Sequence, residues 1–370
     1  PNALVILADD LGYGDLGITG CKDIRTPNID RLAAGGVFCT DGHVAASVCA
    51  PSRCGLLTGL APARQGFEAN QDMLLPGSRT IARTLRDHGY TTLGVGKWHM
   101  GPDPLAMGFD HFTGLAGGGR SYFPSAKTDK DGRITRDGKD AESDGWTYLT
   151  DFLTDEGMRL VKQRDLAKPF FLYMSYTTPH TPLEPRADHL AAYAGITNKG
   201  RRNYAAMVAS LDEEVGQWLD FLEKENLARR TIIVFLSDNG GATINHSDNG
   251  PWRGMKGSYW EGGQRVPFIV SWPGTLKPGS YEKAVTILDL LPTALGASGR
   301  SCPQATDGVN LLPFLSGRDP GTPHERLYWR FGVCSAARDN TLMLIRTREE
   351  DGRVHAVTLF DLATDPGQTK

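Results

Sequence analysis

Ala3-Leu4-Val5-Ile6-Leu7 is an unbroken apolar run that stops at Asp9-Asp10. A strand buried on both faces reads this way, because neither face can be polar. Comparable runs at Thr91–Val95, Pro169–Tyr176, Thr231–Leu236 and Pro267–Trp272 predict further strands. Helical spacing fills the intervals. Thr26 as N-cap and Pro27 at the first helical position predict a helix that ends at Gly35-Gly36. A second helix is expected over roughly Thr80 to His88. From Tyr204 to Leu222, apolar Met207, Val208, Leu211, Val215, Trp218, Leu219 and Leu222 fall on one helical face. Strands alternating with helices predict an α/β fold, with a large, mainly parallel or mixed sheet flanked by helices.

Two stretches break this pattern. Gly117 to Asp144 is rich in Gly, Asp and Lys, without periodicity, and reads as a long surface insertion. Beyond residue 299 the alternation weakens. Short apolar runs at Arg326–Phe331, Thr341–Ile345 and Val354–Phe360 predict a small antiparallel sheet. The expected organisation is one α/β domain over residues 1–299 and a C-terminal subdomain over 300–370. There is no internal repeat and no heptad pattern.

Composition narrows the function classes. Of 370 residues, 40% are apolar and 22% charged, as in an ordinary globular protein. A formal net charge of −3 argues against a general nucleic-acid binder. No apolar run reaches membrane-spanning length. The chain carries no signal peptide, but it opens almost directly on a strand, so natural residues are expected to precede it. Six cysteines in this length make no dense disulfide framework. Cys21, Cys39, Cys54, Cys302 and Cys334 read as buried thiols or an occasional bridge.

Five short segments carry chemistry. Cys49-Ala50-Pro51-Ser52-Arg53 runs into Leu56-Leu57-Thr58-Gly59. Pro51 suits the first turn of a helix, so Cys49 sits at a helix start, where free N–H groups favour an anion. Asp9-Asp10 and Asp238-Asn239 each follow a predicted strand. Three carboxylates and an amide oxygen make a hard oxygen set suited to Ca²⁺ or, second, Mg²⁺. Both pairs are also ordinary turn sequences. Gly96-Lys97-Trp98-His99 follows another strand. In extended chain Lys97 and His99 would point to the same side, suiting an oxyanion and a proton transfer. Thr178-Pro179-His180-Thr181-Pro182 holds His180 between prolines, a rigid setting for a general acid. Arg253-Gly254-Met255-Lys256-Gly257 lets backbone approach a ligand closely around Lys256. Taken singly, each basic residue here is equally well a solvated loop residue.

As an ordered set, these segments resemble the type I formylglycine-dependent sulfatases of the alkaline phosphatase superfamily. Further matching pieces are Leu11-Gly12-Tyr13-Gly14-Asp15, Thr26-Pro27-Asn28-Ile29-Asp30, Asp289-Leu290-Leu291-Pro292-Thr293, Asp307-Gly308 and Leu359-Phe360-Asp361-Leu362. The resemblance implies an alkaline phosphatase-like fold and hydrolysis of sulfate esters. It implies that Cys49 is oxidised to formylglycine by a formylglycine-generating or sulfatase-maturating enzyme. One hydroxyl of the aldehyde hydrate attacks sulfur, giving a covalent sulfate–enzyme intermediate, and the other expels the sulfate. Asp9, Asp10, Asp238, Asn239 and the modified Cys49 are implied ligands of one Ca²⁺. Arg53 and His99 would hold and deprotonate the hydroxyls, Lys97 and Lys256 would neutralise the sulfate, and His180 would protonate the departing alcohol. Departures are Cys54 where a small residue is usual, Met100 for Leu and Gln368 for an acid.

Specificity is expected from loops around the mouth. The candidates are Asn70-Gln71-Asp72, Asp103, Gly119-Arg120-Ser121-Tyr122, Glu184, His246, Asp248, Asn249 and Trp252. Arg120, His246, Asn249 and Trp252 are the substrate-binding expectations, since Arg suits a carboxylate or sulfate and Trp stacks on a sugar face. The stretch from Asn249 to Gly257 resembles carbohydrate sulfatases, including N-acetylgalactosamine-4-sulfatase-like members, so the expected partner is a sulfated saccharide. The alternative is a phosphate or phosphonate ester hydrolase on the same scaffold. A catalytically silent glycan-binding relative would have lost metal or nucleophile positions, and these are intact. Analogy with bacterial polysaccharide sulfatases implies export, periplasmic or secreted. Oligomeric state is open at this stage.

Overall fold

The computed structural model describes residues 1–124, 132–142, 145–339, 341–349 and 351–369. Its first strand, Asn2–Ala8, lies inside a ten-stranded mixed sheet. Side chains alternate between faces along it. Leu4, Ile6 and Ala8 enter one hydrophobic core, and Ala3, Val5 and Leu7 enter the other. Both faces are covered, which is why the run has no polar position.

Five strands at the sheet's heart are parallel. Their order is Thr231–Ser237, Asn2–Ala8, Phe170–Ser175, Thr91–Lys97 and His111–Leu115. Phe268–Ser271 adds antiparallel beside Thr231–Ser237. The long helix spans Lys199–Lys224, starting upstream of the apolar stripe because Asn198 caps it, accepting a bond from the Arg201 N–H at 2.9 Å. It packs on the first core together with Leu149–Gln163, a helix the periodicity reading omitted.

The helix Pro27–Ala34 forms as expected, but Thr26 does not cap it. Asp212 of the long helix does so instead, accepting from the N–H groups of Asn28 and Ile29 at 3.0 and 2.8 Å. Thr26 is engaged elsewhere, bonding Gly17 N at 2.8 Å. A cap supplied from 183 residues away leaves no local signal.

The stretch Gly117–Asp144 is less superficial than its composition suggests. Residues 125–131 and 143–144 lie outside the described residues. Among the rest, Arg120, Tyr122, Ile134 and Ala141 are buried. Thr135–Arg136 and Lys139–Asp140 extend the sheet edge.

The second sheet is antiparallel and four-stranded: Leu327–Phe331, Cys334–Asp339, Leu342–Arg348 and Val354–Asp361. It begins later than residue 300, and Leu311, Leu312 and Leu315 belong to the large sheet's core. Only one face is covered. Trp329, Ala336, Met343 and Ile345 point inward, while Tyr328, Leu344 and Leu359 share an exposed row. All six cysteines are unpaired thiols. Among the described residues, no helix is long and apolar enough to cross a membrane.

Candidate active site

The carboxyl ends of the parallel strands converge on one place, where open α/β sheets form their sites. Ala8 and Ser237 are register partners, so Asp9-Asp10 and Asp238-Asn239 emerge side by side. Lys97 ends a nearby strand, and Ser175 ends the strand between. Cys49 is the first residue of the helix Cys49–Thr58 and is buried. Two loops close the ring. The Lys256 loop is pinned by Gly257 N to Ser47 O at 2.7 Å and Lys256 N to Gly241 O at 2.9 Å. The His180 loop follows Phe170–Ser175.

Asp9, Asp10, Cys49 and His180 bring ligand-type atoms within 4.8 Å of one another. The Lys97 ammonium lies 2.7 Å from Asp9 and the Lys256 ammonium 2.6 Å from Asp10. Lys256 also reaches Cys49 Sγ at 2.9 Å. Arg53 binds Asp238 through Nε and Nη2, both at 2.8 Å. Its Nη1 donates to Ser175 Oγ and to the Lys97 carbonyl. Three carboxylates thus face three cations, almost wholly out of water. Lys256 and His180 keep partial exposure, with side chains 18% and 22% accessible.

Burial would raise the Asp9 carboxyl, but the charges of Lys97, His180, Arg53 and Lys256 outweigh it and hold Asp9 well below the usual range. The Cys49 thiol is pushed up to about 12, chiefly by burial, against the pull of Lys97. It is therefore protonated and a poor nucleophile as it stands. Burial, reinforced by Lys97 and Arg53, drops His99 to about 3, so its imidazole is neutral. His180 Nδ1 donates to the Thr181 carbonyl at 2.7 Å, leaving Nε2 toward Asp10 at 3.7 Å.

The sequence-based arrangement changes at two points. His99 is not extended: φ is 59°, and the strand has ended at Lys97. Asp10 is also left-handed, at φ 64°. Such backbone is costly for residues with a Cβ and concentrates at functional sites. Asn239 donates to Asp10 Oδ1 at 2.7 Å, while its own Oδ1 is buried without a partner.

Of the substrate-binding expectations, three are held inside the protein. Arg120 is buried in an ion pair with Glu142 and stacks on Trp146 at 4.8 Å. Asn249 is buried and staples Gly241 to Gly254, bonding Gly241 O at 3.0 Å and Gly254 O at 3.1 Å. Trp252 lies under the Arg265 guanidinium at 3.9 Å, with Tyr13 edge-on. The polar groups of Arg120 and Asn249 already have protein partners, and the Trp252 ring is covered on one face, although its Nε1 has no partner. His246 is exposed and lines an open groove with Arg201, Asp23 and Asp248.

Two residues were missed. Asn245 Nδ2 lies 3.3 Å from Asp10 Oδ2 and 3.4 Å from the Pro179 carbonyl, tying the carboxylate to the His180 loop. A lone loop asparagine gives no signal. Ser175 Oγ donates to the Lys97 carbonyl at 2.7 Å and accepts from Arg53. Its signal was available: a hydroxyl closing an otherwise apolar strand.

The sulfatase family profile matches residues 1–300. The chain is 33% identical to "Uncharacterized sulfatase YdeN" of Escherichia coli (strain K12), over 89% of this chain and 68% of that protein. It is 33% identical to human N-acetylgalactosamine-6-sulfatase, over 86% of this chain and 66% of that protein. The chain therefore spans about two thirds of these relatives. The crystal structure of Ps i-CgsB in complex with k-i-k-neocarrahexaose superposes with TM-score 0.92 at 33% identity, covering 100% of this chain and 88% of that one. The chain belongs to the sulfatase family, whose members are sulfuric ester hydrolases.

Proposed function

We propose that this member of the sulfatase family releases sulfate from a sulfated carbohydrate, with formylglycine made from Cys49 as its nucleophile. The observation that carries this reading is the setting of Cys49. A buried, protonated thiol stands at a helix start, against Lys256 and the Asp9–Asp10 carboxylates. Such a thiol has no nucleophilic use, whereas the anion-binding features around it are complete. Conversion to an aldehyde hydrate supplies the missing hydroxyls, and a maturating enzyme is the implied partner. Support for the carbohydrate comes from relatives, one named for N-acetylgalactosamine-6-sulfate chemistry and one solved with an oligosaccharide.

The residues also fit a calcium ion. Asp9, Asp10 and Asp238 offer carboxylate oxygens, and the partnerless Asn239 Oδ1 is the kind of orphan a hard cation satisfies. These four residues, together with the modified Cys49, would hold it, and bound there it would stabilise negative charge on the sulfate. The chain's own groups do the rest. Lys97 and Lys256 place two ammoniums beside the nucleophile position. Neutral His99 can accept a proton. His180, with its Nδ1–H committed to Thr181, would pass a proton to the leaving oxygen from Nε2–H as the imidazolium, returning to the neutral ring.

The test is sulfate release from defined monosulfated saccharides, using protein co-expressed with a formylglycine-generating enzyme. Aryl sulfate, phosphate esters and Cys49→Ala run alongside. Release from one sugar position, lost in Cys49→Ala, is expected. Hydrolysis confined to phosphate or phosphonate esters would replace this reading. Calcium should raise the melting temperature of Cys49→Ala, and Asn239→Ala should weaken that rise.

A further inference from the structure

The His180 imidazole is tied to its own loop, with Nδ1 donating to the Thr181 carbonyl at 2.7 Å. Its Nε2 stands 3.7 Å from Asp10. The ring therefore goes where the loop backbone goes, and whatever fixes that backbone fixes Nε2.

Tyr122 holds the loop at both ends. Its hydroxyl lies 2.6 Å from the Thr177 carbonyl and 2.9 Å from the His180 carbonyl. The Thr177 carbonyl also accepts from the His180 N–H at 2.9 Å, so the phenol closes on a turn that ends at His180 itself. Downstream, Glu184 returns to the same residue. One of its carboxylate oxygens accepts from the Tyr122 N–H at 2.9 Å and from Ser121 Oγ at 2.7 Å. Tyr122 thus grips the start of the loop with its side chain and the end with its backbone. Ser121, Tyr122 and Glu184, whose types suit a ligand at the mouth, meet one another instead.

Tyr122 is itself firmly seated. It is fully buried, its ring stacks on Tyr148 at 5.8 Å, and its carbonyl accepts from the Leu149 N–H at 2.8 Å. Burial pushes the phenol well above its usual range, so the hydroxyl keeps the proton it donates. A phenylalanine would fill the same space and stack on the same ring. What the hydroxyl adds is its hold on two carbonyls, one of them that of His180.

We propose that Tyr122 is a positioning residue for His180, its hydroxyl setting the loop so that Nε2 faces the leaving oxygen. The assignment rests on the general-acid reading of His180 above. It gives the stretch from Gly117 to Asp144 a part in the chemistry.

Two sulfate esters test it, one of a poorly leaving alcohol and one an activated aryl sulfate, on protein co-expressed with a formylglycine-generating enzyme. Tyr122→Phe should lower kcat for the first about tenfold, less than removal of the imidazole does, and keep aryl sulfate turnover within about twofold. KM should change little for either ester. In a His180→Ala background the same substitution should cost nothing further, because no acid is left to place. Thermal melts check folding. If Tyr122→Phe does not fold, Glu184→Gln, which keeps an acceptor and loses the charge, carries the same comparison with a smaller ratio. Equal losses on both esters, or a loss that persists in the His180→Ala background, overturn the positioning role and leave the reading of His180 in place. Equal losses in His180→Ala itself remove the general acid and the positioning role with it.

Discussion

Two buried charge clusters lie within this molecule, and their difference separates a reaction site from a structural lock. In each, three or more His, Cys, Asp or Glu side chains bring ligand-type atoms within 4.8 Å of one another. The first gathers Asp9, Asp10 and Asp238 against Arg53, Lys97 and Lys256. The second gathers Asp41, Glu261 and His43 against Arg265 and Arg338. With His43 neutral, acids and fixed cations balance in both. The second, however, is held by arginine forks. Arg338 grips both Asp41 oxygens, at 2.7 and 2.9 Å, and reaches Glu261 at 3.5 Å. Arg265 adds bonds to Asp41 and Glu261 at 3.2 Å each. A planar guanidinium bound twice is committed. Arg338 belongs to the four-stranded sheet, so the cluster bolts that sheet to the main domain. In the first cluster, two of the three cations are lysines, point charges on flexible stems, and one of them is open to solvent. Those charges can turn toward an arriving anion.

The largest expected effect lies in the first cluster. If the proposed formylglycine nucleophile is built on Cys49, Cys49→Ala should lower sulfate release by about 10⁴-fold or more. Its urea midpoint should stay close to wild type. A mutant that keeps appreciable turnover would move the chemistry away from Cys49.

The second cluster should behave in the opposite way. Asp41→Ala leaves the buried Arg338 and Arg265 guanidiniums sharing Glu261, beside His43. Breaking a buried pair on one side costs about 3–5 kcal/mol. Urea unfolding should report that loss, while sulfate release per folded molecule is retained. If Asp41→Ala instead abolishes turnover in well-folded protein, the division between site and lock is wrong.

Within the first cluster, His180 should sharpen the picture further. His180→Ala should slow esters of poorly leaving alcohols by about 10²–10³-fold. Activated aryl sulfates, which need little protonation, should lose far less. Equal losses on both would make His180 a holder of Asp10, 3.7 Å away, rather than the proton donor.

Legibility followed the same division. The central strands, the long helix and the charged ends of strands were readable, because buried parallel strands must be apolar and the polar residues that end them stand out. That pattern exposed Asp9, Asp10, Lys97 and Asp238, and the helix start exposed Cys49. What stayed hidden was set by partners distant in sequence. Asp212 caps a helix 183 residues earlier. Arg338 pairs with Asp41 across 297 residues. Arg120, Asn249 and Trp252 read as ligand contacts because their types suit sugars. Arg120 is bound to Glu142, Asn249 to Gly241 and Gly254, and the Trp252 ring is covered by the Arg265 guanidinium. Residue type announces what a side chain can bind, and packing decides whether anything is left to bind.

The smallest effect tests the lock through pH. Burial lowers the His43 pKa, opposed by Asp41 and reinforced by Arg338, so His43 is neutral in the folded protein. Protonation would add a third positive charge to a buried cluster already in balance. The unfolded chain has no such restraint and takes up a proton near the ordinary histidine value, about 6.5. Below that pH the unfolded state therefore binds more protons than the folded one. Stability must rise with pH across this window and be lost as pH falls through it. Asp41, whose carboxyl is held well below the usual range despite burial by the His43 hydrogen bond and the Arg265 and Arg338 charges, adds a loss of the same sign at lower pH. Between pH 7.5 and 5, the His43 contribution to stability should therefore shrink steadily toward acid. Urea unfolding of wild type and His43→Gln at several pH values isolates it, because other histidines cancel in the difference. A difference that falls toward acid, as wild type loses stability faster than His43→Gln, fits a neutral buried imidazole. A flat difference would mean that His43 takes its proton in the folded protein as readily as in the unfolded chain, and that Asp41, not burial, controls it.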